Sequence, residues 1–168
     1  MSASWWLCGN PVAIRLIQMK RNDLPSTHQT SDPEETFELA SQFGKMLMPG
    51  DLVLLQGSLG AGKTLFVRGV CAGLGLTELW EVDSPTYTVV NHYDVASGVD
   101  HIDLYRFNGV EDLEEIGLDE IMDSDTVKLI EWPERLSGFH LPREAFSVKI
   151  RIEDAEKRTL EISRHHEE

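Results

Sequence analysis

Eight consecutive residues, Gly57-Ser58-Leu59-Gly60-Ala61-Gly62-Lys63-Thr64, constrain this chain more than any other stretch. They fit the pattern G-x-x-x-x-G-K-[ST] without a gap. Before them runs the apolar segment 52–55, which reads as a strand buried on both faces. After them Leu65, Phe66 and Val70 recur at helical spacing until Gly73 and Gly75 end the run. A strand, a glycine-rich loop and a helix in that order give the pattern a mechanism. Glycines lack a Cβ, so the loop can turn successive N–H groups inward at the start of a helix, where the peptide dipoles favour an anion.

The guest that suits such a nest is a chain of phosphates. Lys63 adds a mobile positive charge within reach of the β- and γ-phosphates, and the Thr64 hydroxyl can coordinate Mg²⁺. The expected ligands are ATP or ADP and Mg²⁺, although the motif itself reads the phosphates and leaves the base open. The expected binding residues are Gly57, Leu59, Gly60, Ala61, Gly62, Lys63, Thr64 and Leu65, joined by Trp132.

Such a loop needs a second acidic group, because Mg²⁺ on phosphates is held partly by a carboxylate at a neighbouring strand end. Glu131 directly follows the apolar run 127–130, and Asp103 follows Ile102 near the end of another strand-like stretch. Either position also suits an ordinary strand-end surface residue. Ser84-Pro85-Thr86 precedes a strand and reads as a switch-like loop with hydroxyls near the γ-phosphate, or as a plain turn. Trp132 can stack on the base, cover the site or simply pack in the core. His92 and His101 lack a metal-ligand spacing and read as structural or surface residues.

The rest of the chain surrounds these positions with alternating elements. Asp32, Pro33, Glu34 and Glu35 are a helix start, and Phe37, Ala40, Phe43 and Leu47 continue it until Pro49 and Gly50. Stretches 87–93 and 99–104 read as a hairpin across Ala96, Ser97 and Gly98. Residues 110–122 are acidic and read as one or two short helices broken at Gly117. Residues 126–130 are a second central strand, and 146–152 with 159–162 are a closing hairpin. The fold expected is α/β, with a central mainly parallel sheet, antiparallel hairpin additions and helices on both faces. Residues 1–30 read as a weakly structured extension, with Met19 an alternative start, and 31–168 as one domain.

With 15 basic and 29 acidic residues the net charge is −14 at pH 7, so the overall field repels nucleic acid and anionic membrane. Any contact with RNA is expected through a partner. Cys8 and Cys71 lie far apart and suggest neither a zinc site nor a disulfide. Asn10 and Pro11 interrupt the apolar start, and no basic residue precedes Trp5, Trp6 and Leu7, so neither a secretory signal nor a membrane helix is expected.

Taken together, GSLGAGKT (57–64), Arg68-Gly69, SPTYT (84–88), HIDLYR (101–106), the acidic stretch with Leu113, Glu114 and Gly117, and LIEW (129–132) resemble the bacterial TsaE family, also called YjeE, over about residues 31–163. The resemblance implies a P-loop α/β fold and Mg²⁺-dependent ATP hydrolysis in the cytoplasm. It also implies work in a complex with the TsaD and TsaB proteins, which modify tRNA with threonylcarbamoyladenosine. By the same likeness Lys63 and Thr64 bind phosphate and Mg²⁺, Glu131 is the second metal carboxylate, and Asp103 is an essential acid near the γ-phosphate. Ser84, Pro85 and Thr86 form the switch-like loop, and Trp132 and Arg106 match family positions. Ser58 stands where the family commonly has Asp, and Leu65 where it has a second Thr.

Two other readings fit the motif. A small P-loop kinase would transfer phosphate to a metabolite, but the segment 110–125 carries many carboxylates and no arginine, which suits a phosphate-clamping lid poorly. A nucleotide-gated binding module would need occupancy alone, without hydrolysis.

Overall fold

Asp32 opens the first long helix as its position suggests, its carboxylate accepting the Glu35 amide at 2.8 Å with Pro33 in the first turn. In the computed structural model, which describes residues 19–142 and 144–166, that helix is α1 (Pro33–Gly44). The chain then tightens, with Met46 and Leu47 donating to the carbonyls three residues back. The expected helical run to Leu47 therefore ends as a turn, although Leu47 stays buried.

The strands are β1 (Ser26–Thr30), β2 (Leu52–Gln56), β3 (Val90–Tyr93), β4 (Val99–Asp103), β5 (Val127–Glu131), β6 (Glu144–Ile152) and β7 (Arg158–His166). They form one seven-stranded sheet in the order β1-β7-β6-β2-β5-β4-β3. The four central strands β6, β2, β5 and β4 run parallel, while β3 pairs antiparallel with β4 on one edge, and on the other β7 pairs antiparallel with β6 and β1 antiparallel with β7. This is the expected P-loop-type α/β architecture.

Two further local expectations change. Residues 26–30, assigned from sequence to the extension, are the edge strand β1 paired along β7. Their composition, Ser-Thr-His-Gln-Thr, carries no apolar alternation, so only the pairing reveals them. The first 18 residues of the expected extension lie outside the described ones. Residues 87–89, expected in a strand, are instead a turn in which Val89 takes a φ of +68°.

Side-chain alternation divides the core between the two faces of the sheet. Val53, Leu55, Val127, Leu129, Phe146 and Val148 meet α1 and α2 (Lys63–Gly73), whereas Leu52, Ile102 and Ile130 meet α3 (Val110–Glu115) and α4 (Leu118–Asp123). Helices thus cover both faces, with the predicted break at Gly117 between the short pair. Phe43 packs on Phe66 and edge-on to Phe146, with ring centroids 5.7 and 5.6 Å apart. Fully burying a side chain such as Phe66 contributes on the order of 1.5–3 kcal/mol.

The two long helices approach closely because Gly69 faces α1. A Cβ there would stand 2.5 Å from the Phe37 carbonyl and 2.6 Å from the Ala40 methyl. That close packing seats α2 on the sheet and so sets where its first residues, Lys63 and Thr64, point.

Candidate functional site

The carboxyl ends of β2, β5 and β4 lie side by side and supply the glycine-rich loop, Glu131 and Asp103. Leu55 on β2 is the register partner of Glu131 on β5, and Glu131 in turn partners Asp103 on β4. Crevices at the carboxyl ends of parallel strands are where open α/β sheets place ligands.

The glycine-rich loop leaves β2 and closes on itself through the Ala61 amide and the Ser58 carbonyl at 3.1 Å. Gly62 holds a φ of +104°, which a side chain would strain, and it is the N-cap of α2. The loop is anchored from behind by Arg158 at the start of β7, whose Nε donates to the Ala61 carbonyl at 3.0 Å. Ala61 is buried, while Leu59 at the loop tip is exposed. Leu65 lies on α2 and is half-buried.

Lys63 is 5 % exposed and folds over the loop, its Nζ donating to the carbonyls of Gly57 at 2.8 Å and Ser58 at 3.2 Å. The ammonium also lies 3.9 Å from the centroid of the Trp132 ring. Burial pushes its pKa down, and the nearby carboxylates of Glu131, Asp103 and Glu134 push it back up. Three acids thus act on one buried cation.

Thr64 donates its hydroxyl to Glu131 Oε1 at 3.0 Å, so the first turn of α2 and the end of β5 meet directly. The same oxygen lies 2.9 Å from Nε2 of His101, which is fully buried on β4. Asp103 accepts from both hydroxyls of the expected switch-like loop, Ser84 at 2.8 Å and Thr86 at 3.0 Å on Oδ2, and from the Tyr105 amide at 2.9 Å on Oδ1. Pro85 between them is buried, and the Val89 amide and carbonyl tie the turn to Pro85 and to the Asp103 amide. Arg68 on α2 holds the start of this segment through the Val82 carbonyl at 2.8 Å.

The structure therefore brings Lys63, Thr64, Ser84, Thr86, Asp103, Glu131 and Trp132 to one mouth. Trp132 adopts a left-handed backbone, φ +62°, that turns its ring over Lys63 and onto Tyr105, with centroids 4.9 Å apart. It is half-buried and does both, packing against the core cluster of Ile102 and Ile130 and covering Lys63.

His101 is the residue that spacing arguments pass over. Spacing makes it structural, yet it touches Glu131. The available signal is the period of two along β4, which puts His101 on the same face as Asp103.

Chemically the mouth offers the glycine-rich loop at a helix start, the Lys63 cation, the hydroxyls of Thr64, Ser84 and Thr86, and the carboxylates of Asp103 and Glu131. Those are the donors that phosphate and a small hard cation require. Fold and site together define a P-loop NTPase-like α/β protein. The family model described as "Threonylcarbamoyl adenosine biosynthesis protein TsaE" matches residues 30–160. By that match and by its relatives, the chain belongs to the TsaE family.

Among those relatives is the tRNA threonylcarbamoyladenosine biosynthesis protein TsaE of Bacillus subtilis, 36 % identical over 79 % of this chain and 81 % of its own length. The protein of the same name from Treponema pallidum is 37 % identical over 71 % of this chain and 86 % of its own. The crystal structure of Bacillus subtilis YdiB superposes with a TM-score of 0.69 at 31 % identity, covering 84 % of this chain and 86 % of that one.

Proposed function

We propose that this protein is a Mg²⁺-dependent ATPase of tRNA threonylcarbamoyladenosine biosynthesis. On this reading it works in the cytoplasm with the TsaD and TsaB proteins and meets tRNA only through that complex. Membership of the TsaE family supports the pathway. No helix among the described residues is long and apolar enough to cross a membrane. The observation that carries the chemistry is the Thr64 hydroxyl set 3.0 Å from the Glu131 carboxylate at the mouth of the glycine-rich loop.

That pair fits the proposed metal. A hydroxyl and a carboxylate are hard oxygen donors, and Mg²⁺ characteristically takes only one or two protein ligands beside phosphate oxygens and water. When bound, the ion supplies neutralisation of the charge that develops on the phosphates. The chain's own residues do the rest.

The loop amides hold phosphate oxygens, and Lys63 exchanges the Gly57 and Ser58 carbonyls for the β- and γ-phosphates. Thr64 and Glu131 are the residues that would hold the ion. In this reading Asp103, which accepts from Ser84 and Thr86, would orient the attacking water and take its proton as the terminal phosphate parts from ADP. Trp132 covers Lys63 and limits its access to bulk water.

The test is hydrolysis of labelled ATP, measured for the protein alone and with TsaD and TsaB added. Lys63→Ala is expected to lower the rate by about 10²–10³, the usual loss for one electrostatic stabiliser of the transition state. An unimpaired Lys63→Ala rate would overturn the assignment, and label appearing on an acceptor other than water would make the protein a kinase.

A further inference from the structure

We propose that His101 is a positioning residue for the Glu131 carboxylate, and that Tyr93 behind it supports the ring beside the segment bearing Ser84 and Thr86. The inference rests on the reading of Glu131 as a metal carboxylate.

Glu131 is 3 % exposed, so its carboxylate depends on donors inside the protein. Oε1 has two: the Thr64 hydroxyl at 3.0 Å and His101 Nε2 at 2.9 Å. Nε2 is the ring nitrogen that faces this oxygen, and it serves the carboxylate as a donor. The two donors respond differently when a cation takes Thr64. The hydroxyl must turn away from Glu131, whereas His101 stays, because its ring is enclosed by the core and stands on a central strand. His101 is thus the contact that keeps Glu131 aimed at the loop mouth while its partner changes.

The ring is itself held from behind. The Tyr93 hydroxyl lies 3.5 Å from His101 Nδ1 and 3.4 Å from the Asp83 carbonyl, and Asn91 donates to it at 3.4 Å. The two rings stand 6.3 Å apart, both buried. Asp83 immediately precedes Ser84, whose hydroxyl is bound to Asp103. The switch-like segment is therefore bound to Asp103 directly, and it adjoins His101 through Tyr93, whose single hydroxyl hydrogen serves either the Asp83 carbonyl or His101 Nδ1 at one time. Such partners behind a metal ligand typically contribute about 10- to 100-fold in metal affinity or activity.

The test measures ADP binding by calorimetry on the full chain, once with Mg²⁺ and once with EDTA, and reads the ratio of the two affinities. His101→Leu is expected to lower that ratio about tenfold while leaving the EDTA value unchanged. His101→Gln, whose amide keeps a donor near the Nε2 position, is expected to recover most of it. Tyr93→Phe should move it less, in the same direction. The proposal is overturned if His101→Leu keeps the wild-type ratio, if it weakens binding equally with and without Mg²⁺, or if His101→Gln does no better. Should His101→Leu fail to fold, Tyr93→Phe decides, and an unchanged ratio there overturns the proposal. A wild-type protein that binds ADP equally well in EDTA would instead remove the metal reading of Thr64 and Glu131 on which the inference stands.

Discussion

Asp103 and Glu131 are register partners at the ends of the adjacent parallel strands β4 and β5. Their pairing sets two buried carboxylates on one face of the sheet, with Lys63 as the cation between them and the loop. Each acid is satisfied by its own donors, Asp103 by the hydroxyls of Ser84 and Thr86 and Glu131 by Thr64 and His101. The two acids therefore do separate work: one reports on the 84–86 segment and the other on the helix that begins at Lys63.

Asp103 should control the order of that segment. Asp103→Ala removes the acceptor for Ser84, Thr86 and the Tyr105 amide, and each lost charge-assisted bond is worth about 1.5–3 kcal/mol. Hydrogen exchange followed by mass spectrometry should show faster exchange in residues 84–89 with β2 unaffected, alongside an ATPase rate at least about tenfold lower. Wild-type protection of residues 84–89 in the variant would contradict this account of the loop.

Arg158 should matter to nucleotide affinity although it need not touch nucleotide. Its Nε bond to the Ala61 carbonyl is the tie between the β6–β7 hairpin and the loop. Losing about 1 kcal/mol of hydrogen bond corresponds to roughly fivefold weaker ADP binding in Arg158→Ala. Titration of ADP into both proteins checks it, and equal affinities would show the loop to be rigid without the tie.

Gly69 should tolerate no side chain. In Gly69→Ala the new methyl meets the Phe37 carbonyl and the Ala40 methyl well inside contact distance, so α1 and α2 must separate at a cost of about 1–3 kcal/mol. Thermal unfolding should shift down by several degrees. An unchanged Tm would mean that the helix pair yields freely.

Cys71 makes a pH prediction with a defined sign. Burial pushes its thiol from the ordinary 9.0 up to about 12. Above pH 9 the unfolded chain loses this proton while the folded one keeps it, so the folded state binds more protons and stability falls as pH rises, by up to about 1.4 kcal/mol per unit. Below pH 9 the group contributes no slope. Urea unfolding of wild type and Cys71→Ala between about pH 8 and pH 11 should show a steeper decline for wild type, and parallel curves would refute it. In the Cys8→Ser background the remaining thiol should resist alkylation until the protein unfolds.

The parts of this protein that sequence alone determined are those governed by neighbours along the chain. The loop from Gly57 to Thr64, the strand before it and the helix after it follow from glycine placement and side-chain period, and Asp32 capping follows from one residue type at one position. Glu131 and Asp103 are visible as acids at the ends of apolar runs. Tertiary structure alone decided which strands lie together: β6 pairs parallel to β2, and polar β1 is drawn into the sheet by β7. It also decided that His101 meets Glu131 across strands and that Arg158, 97 residues away, reaches Ala61. The reason is physical. Side-chain period reports which face of an element is apolar, whereas pairing partners and hydrogen bonds across the sheet depend on how all the faces are buried at once.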